Sequence, residues 1–230
     1  MPHVKAAFEW FDKNIDLLKV LSKGSRSLLY IGIRHDTSPW WYLDLCKRLG
    51  IERVSVLEIF PKNLGDFEVQ CWSGKYGSDG GTIGTILGNA CQIGDYVSPG
   101  EFDIIFFDHG PEHLDPQDFV LATQELKEHA GKLLLYSAPW GEWPQGEEDG
   151  NCHEVHRTVL TPELLTSVGM TSATVNQLGM GGEGELIAWH VTSGGALVTD
   201  DVVKKTYLCG ACTAGRTEDC SGWCGVTYPR

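Results

Sequence analysis

Apolar residues near the start of the chain recur at steps of three or four. Val4, Phe8, Phe11, Ile15, Leu18 and Leu21 carry the pattern, with Lys, Asp and Glu among the residues between them. This is the spacing of one face of an α-helix, so residues 3–22 predict an amphipathic helix, closed by Gly24 as a C-terminal cap. A packing role suffices for it; its nearness to the first strand also allows it to act as a lid.

From Ser27 the period changes. Ser27-Leu28-Leu29-Tyr30-Ile31-Gly32-Ile33 is a short apolar run broken by glycine. Arg53 to Ile59 is a second, with the acid Glu58 near its end, and Phe102 to Asp108 and Lys132 to Ser137 are two more. Short apolar runs without alternation suit strands buried on both faces, as in a parallel sheet. Thr82 to Leu87 is a weaker strand. Between the strands lie helical stretches: Trp40 to Leu49 ended by Gly50, one or two turns from Pro61 to Phe67, and Pro116 to about His129 ended by Gly131. Asp115 before Pro116, and Thr161 before Pro162, place a capping residue ahead of a proline suited to the first helical position. Residues 138–154 read as a long loop rich in Trp, Gly and Glu, and Thr171 to Leu178 and Glu185 to Val191 as two last strands around a glycine-rich turn. Alternating strand and helix, then two strands in succession, predict an α/β fold: a mostly parallel seven-stranded sheet with helices on both faces and an antiparallel terminal strand pair. After Ser193 Gly and Thr rise, which predicts three parts: a covering helix at 1–24, the α/β domain at 25–193, and a Cys-rich appendage at 194–230.

A length of 230 residues suits one such domain with a small appendage. The net charge of −13 repels polyphosphate, so nucleic acid is not the expected partner, and a neutral or cationic small molecule is accommodated more easily. The longest apolar runs fall far short of the ~20 residues of a membrane span. Glu9, Asp12 and Asp16 interrupt the first helix, so neither a signal peptide nor a membrane partner is expected, and the cytoplasm is the expected location. Cys46, Cys71, Cys91 and Cys152 are scattered and read as small hydrophobes or loop residues. Cys209, Cys212, Cys220 and Cys224 cluster near the end; the first pair has the spacing of a zinc knuckle, and four thiolates would complete a structural zinc site. Disulfides and free thiols are the alternatives.

In an open parallel sheet, ligands bind outside the carboxyl ends of the strands. Those ends supply Gly32 to Asp36, Glu58, Asn89, Asp108 to Leu114, and Ser137 to Trp140. Glu58 lies 26 residues after Gly32. An acid there can accept two hydrogen bonds from a ribose diol; it can also be an ordinary strand-end carboxylate.

Leu28-Leu29-Tyr30-Ile31-Gly32, Glu58, Gly88-Asn89-Ala90, Phe102 to Ile105, the His-x-x-Glu-His-Leu segment at 109–114, Leu126 to Ser137 and His153 to Leu165 occur in an order that resembles the class I S-adenosylmethionine-dependent methyltransferases, over roughly residues 25–192. The resemblance implies a Rossmann-like fold, S-adenosylmethionine as cofactor, and methyl transfer to oxygen or nitrogen of a small molecule. It implies cofactor contacts from Gly32, Glu58, Asn89, Ala90, Asp108 and His109, Glu58 being the ribose acid and Asn89 meeting the adenine amine. The first loop departs from the family: Ile33, Arg34, His35 and Asp36 stand where further glycines are usual. Arg34 or His35 can meet the cofactor's carboxylate there, or the loop can be closed.

Methyl transfer from a sulfonium needs alignment and, for a hydroxyl or amine acceptor, a base. The candidates are His109, His113 and His153, with His109 first because it follows the central strand directly. Glu112 and His113 can instead orient the loop. His153 and His156 stand one helical step apart and are expected to line the substrate mouth, with Trp140 and Trp143 as an aromatic wall. The bland alternatives are structural histidines and edge packing. Ser137-Ala138-Pro139 offers no second carboxylate beside Asp108, so no catalytic divalent ion is expected. A methyltransferase-like binding or assembly module without catalysis is the alternative function. A nicotinamide enzyme is disfavoured by the single glycine and the antiparallel pair.

Overall fold

The computed structural model describes residues 2–33, 40–72, 83–175, 184–192 and 226–227. Its strands are β1 (Ser27–Ile31), β2 (Arg53–Glu58), β3 (Ile83–Leu87), β4 (Phe102–Asp108), β5 (Ala130–Trp140), β6 (Thr171–Val175), β7 (Gly184–Val191) and β8 (Val226–Thr227). They form one sheet in the order β3-β2-β1-β4-β5-β7-β6-β8. The strands from β1 to β5 pair in parallel, and β7 lies antiparallel between β5 and β6. The seven expected strands are therefore present in the expected senses. A two-residue eighth strand from the tail adds to β6, Ala173 pairing with Val226.

The helices are α1 (Pro2–Lys13), α2 (Ile15–Leu21), α3 (Trp40–Leu49), α4 (Pro61–Trp72), α5 (Pro116–His129) and α6 (Pro162–Ser167). Side chains alternate across the sheet, and two apolar layers result. Tyr30, Ile104, Phe106, Leu135 and Trp189 face α1 to α4. Ile31, Ile105, Phe107, Leu134 and Ala188 face α5, α6 and the short 3₁₀ helix Ala90–Asp95. No described helix is long and apolar enough to cross a membrane.

Residues 3–22 form two helices rather than one. The chain departs from helical geometry at Asn14 (φ −112°, ψ 22°), whose side-chain amide donates to Trp10 O at 2.7 Å. Such side-chain bonds compete with the helical ladder. Ala7, Trp10, Phe11, Leu17, Leu18 and Leu21 nevertheless share one buried layer, and Trp10 and Phe11 meet Trp189 and Phe106 at ring separations of 6.0 and 5.6 Å. These residues are core, as a packing helix requires. α4 runs past Phe67 to Trp72, and Leu64 and Phe67 carry its buried face. β5 takes Ala138–Trp140 from the predicted loop, since β7 supplies Gly184–Leu186 as their partners. The remainder of the strand expected to reach Leu178 lies outside the described residues, as does most of 194–230.

At the carboxyl end of β1 the backbone of Gly32 takes φ +90°, and a Cβ there would sit 2.7 Å from Asp108 O at the end of β4. Only glycine meets both demands. Gly32→Ala is expected to destabilise the fold by about 2 kcal/mol or more. Urea unfolding measures this, and an unchanged midpoint would mean that the β1 and β4 ends are free to part.

Candidate functional site

The carboxyl ends of β1, β2 and β4 open into a crevice of about 210 Å³. Ile31, Leu57, Phe107 and Leu114 give it apolar walls, and Glu58 and Asn89 give it polar ones. Glu58 ends β2 and is 5% exposed. Its Oε1 accepts the Phe60 N–H at 2.8 Å. Burial pushes its carboxyl up to about 7, against the backbone amides of Phe60, Ile33 and Ile59, while the nearby Glu154 raises it further. A buried carboxylate that borders a cavity is matched by a ligand bringing hydroxyl donors.

Asn89 borders the same crevice, but its side-chain oxygen already caps the Ala90–Asp95 helix, accepting Cys91 N–H at 2.9 Å. Ala90 and Gly32 also line the crevice. Asp108 does not. It is buried beneath the crevice on the opposite face of the sheet, its carboxylate accepting the Tyr30 hydroxyl at 2.5 Å. The Asp108 side chain therefore does not face the crevice, where a cofactor contact was expected of it: strand alternation turns residue 108 to the Tyr30 side. Ile33 is buried at the crevice wall, and Arg34 and His35 lie outside the described residues.

His109 follows Asp108 in a left-handed conformation, φ +44°, its N–H bonded to Ser137 O at 2.8 Å. The turn places its ring between two buried carboxylates. Nε2 stands 3.2 Å from Glu185 Oε1, and Nδ1 stands 3.5 Å from Glu112 Oε1. Burial opposes its charge, but Glu185 and Glu112 outweigh burial and hold it well above 6.5. The two carboxylates thus favour the protonated, hydrogen-donating form of His109, and both of its ring nitrogens face acids. Glu185 also accepts the Ser137 hydroxyl at 2.9 Å. Glu185 is not among the residues expected from the sequence, although an acid heading the apolar run Leu186 to Trp189 is a usable signal.

Glu112 lies in the one-turn 3₁₀ helix Pro111–His113 and is 3% exposed. Burial raises its carboxyl, but His109, His113 and His156 together bring it down to about 2. His156 reaches Glu112 because two backbone amides, of Arg157 and Thr158, donate to Glu112 O at 2.9 and 3.0 Å. The His113 and His156 ring centroids are 4.8 Å apart. His153 does not join them. Residues 152–154 make one 3₁₀ turn and Val155 is extended, so His153 sits exposed on the crevice rim and His156 turns elsewhere. The expected helical step between the two is absent.

Beyond His109 and His113 is a smaller space of about 40 Å³, bounded also by Glu112, Pro139, Trp143 and His156. It adjoins a hollow of about 240 Å³ under Trp143 and Pro144. Trp143 is thus a wall of these spaces, whereas Trp140 packs its ring against the α5-side core. The four terminal cysteines lie outside the described residues.

No family model matches the sequence, and no curated protein matches it. Solved structures do. Magnesium protoporphyrin IX methyltransferase from Synechocystis PCC 6803, with bound SAM, is 12% identical, covering 82% of this chain and 80% of its own, at a TM-score of 0.54. A SAM-dependent methyltransferase from Methanosarcina mazei is 13% identical, covering 76% and 96%, at 0.56. The methyltransferase domain of bacterial Hen1 is 15% identical, covering 83% and 100%, at 0.57. The fold is that of the class I S-adenosylmethionine-dependent methyltransferases. In this fold the crevice above β1 and β2 lies where parallel sheets bind ligands, at the reversal of strand order.

The pH dependence of stability follows from Glu58. Its folded value of about 7 exceeds the ordinary 4.5, so the stability it contributes is full below 4.5 and is lost as pH rises through 7. Glu58→Gln is expected to flatten urea-unfolding stability against pH over that window. An identical slope in the variant would place the carboxylate in water.

Proposed function

We propose that this protein is an S-adenosylmethionine-dependent methyltransferase whose acceptor is an oxygen or nitrogen atom of a small molecule. The observation that carries the reading is Glu58: a buried carboxylate at the end of β2, bordering a crevice in a methyltransferase fold. The residues fit the cofactor. Glu58 would take the ribose hydroxyls, Leu57 and Ala90 would flank the nucleoside, and Gly32 leaves the β1 end without a side chain. When bound, S-adenosylmethionine supplies a methyl group made electrophilic by its sulfonium.

The acceptor enters from the other side. His109 and His113 border both the crevice and the smaller space, so the shared wall is where the two reactants meet. His109, held between Glu112 and Glu185 and favoured in its protonated form, orients the acceptor as a hydrogen-bond donor. His153 serves the crevice rim. Trp143 and His156 enclose the acceptor, which the size of the hollows keeps small. The net charge of −13 also disfavours a polyanionic acceptor such as nucleic acid.

Calorimetry with S-adenosylhomocysteine tests this reading. Binding is expected, and it should tighten as pH rises through about 7, where the Glu58 carboxylate ionises and accepts hydroxyls best. Glu58→Ala should weaken it roughly 10- to 100-fold by loss of charge-assisted hydrogen bonds. Absence of heat, with no protection against thermal unfolding, would favour a methyltransferase-like module without catalysis.

A further inference from the structure

We propose that Glu112, His113 and His156 form a binding site for one divalent first-row transition-metal ion. The three side chains come from two segments and offer one ligand atom each, all within 4.8 Å of one another. Both imidazoles are turned alike. His113 Nδ1 meets Val155 O at 3.3 Å, and His156 Nδ1 meets Trp143 O at 2.5 Å. A carbonyl can only accept, so each Nδ1 carries a proton, and in the neutral ring each Nε2 presents its lone pair. Carbonyl-anchored imidazoles of this kind are the usual form of metal-bound histidine.

The two Nε2 atoms face the same carboxylate oxygen, Glu112 Oε1, at 3.9 and 4.0 Å. These distances are too long for hydrogen bonds. Neither oxygen of Glu112 accepts a hydrogen bond among the described residues, although the side chain is 3% exposed. A buried carboxylate without such bonds is costly, and the His109 ring, 3.5 Å from Oε1, offsets that cost only in part. The three ligand atoms are gathered without hydrogen bonds among them, an arrangement that suits joint coordination of one ion. Small rotations suffice to bring the atoms to the ~2.0–2.2 Å of metal–nitrogen and metal–oxygen bonds.

Two imidazoles and one carboxylate suit zinc, iron, cobalt or manganese rather than calcium or magnesium, which prefer oxygen. Three protein ligands leave coordination positions open, and the cluster borders the space beneath Trp143. On the methyltransferase reading, that places the ion where it would hold an oxygen-bearing acceptor; the metal site itself does not depend on that reading.

The full chain, stripped with a chelator, is titrated with Co²⁺ and followed by absorption, with Zn²⁺ in competition. One equivalent should give visible bands of a nitrogen–oxygen site without the near-ultraviolet thiolate band that Cys209, Cys212, Cys220 and Cys224 would produce. Cys209→Ser with Cys212→Ser should leave those visible bands intact. His113→Gln and His156→Gln should each weaken binding by about 100-fold or more, with circular dichroism checking the fold. In the wild-type chain, Co²⁺ should also shift two imidazole N–H proton resonances, a readout that needs no variant. A thiolate-only spectrum, no Co²⁺ binding, unshifted imidazole resonances, or unchanged affinity in both folded histidine variants would overturn the site. Calorimetry with S-adenosylhomocysteine is independent of every one of these results.

Discussion

The functional account rests on one buried charge. Glu58 sits at the end of a strand, closed off from water except towards the crevice, and burial pushes its carboxyl up to about 7. The Phe60 amide holds one oxygen in place. Such a group costs stability once ionised unless something brings donors to it. A sugar with neighbouring hydroxyls is the natural complement, and the fold puts the apolar residues Leu57 and Ala90 beside it.

The second concentration of charge lies across β4, β5 and β7. Ser137, Glu185, His109 and Glu112 form a chain of polar contacts through an otherwise apolar region. Its geometry depends on backbone. The left-handed turn at His109 reverses the direction of the side chain after Asp108, and the pairing of Glu112 O with the amides of residues 157 and 158 carries His156 into reach. The chain thereby gathers three imidazoles around one carboxylate at the boundary between two cavities. The uncommon conformation at residue 109 coincides with a site rather than with a plain turn, as strained backbone often does.

Much of the fold could be read from the chain. Short apolar runs located β1, β2, β4 and β5, because strands covered on both faces carry no alternation to confuse with a helix. The capping pairs Asp115-Pro116 and Thr161-Pro162 located α5 and α6 to the residue, although Asp115 itself makes no capping bond. The break at Asn14 was hidden because the apolar period runs on through it, while a local side-chain bond to Trp10 O accompanies the departure from helical geometry. In the site, Gly32 and Glu58 were readable from strand-end logic alone. The side of the sheet that Asp108 faces was not legible, since it follows from alternation that a continuous apolar run conceals. The separation of His153 from His156, and the arrival of Glu185 from β7, depend on backbone shape and antiparallel pairing that residue spacing does not encode.

A crystal structure of the full chain with S-adenosylhomocysteine tests the central claim most directly. The account predicts both ribose hydroxyls within hydrogen-bond distance of the Glu58 carboxylate, with the nucleoside between Leu57 and Ala90. A ligand bound elsewhere, or a Glu58 side chain turned away from the sugar, would contradict it.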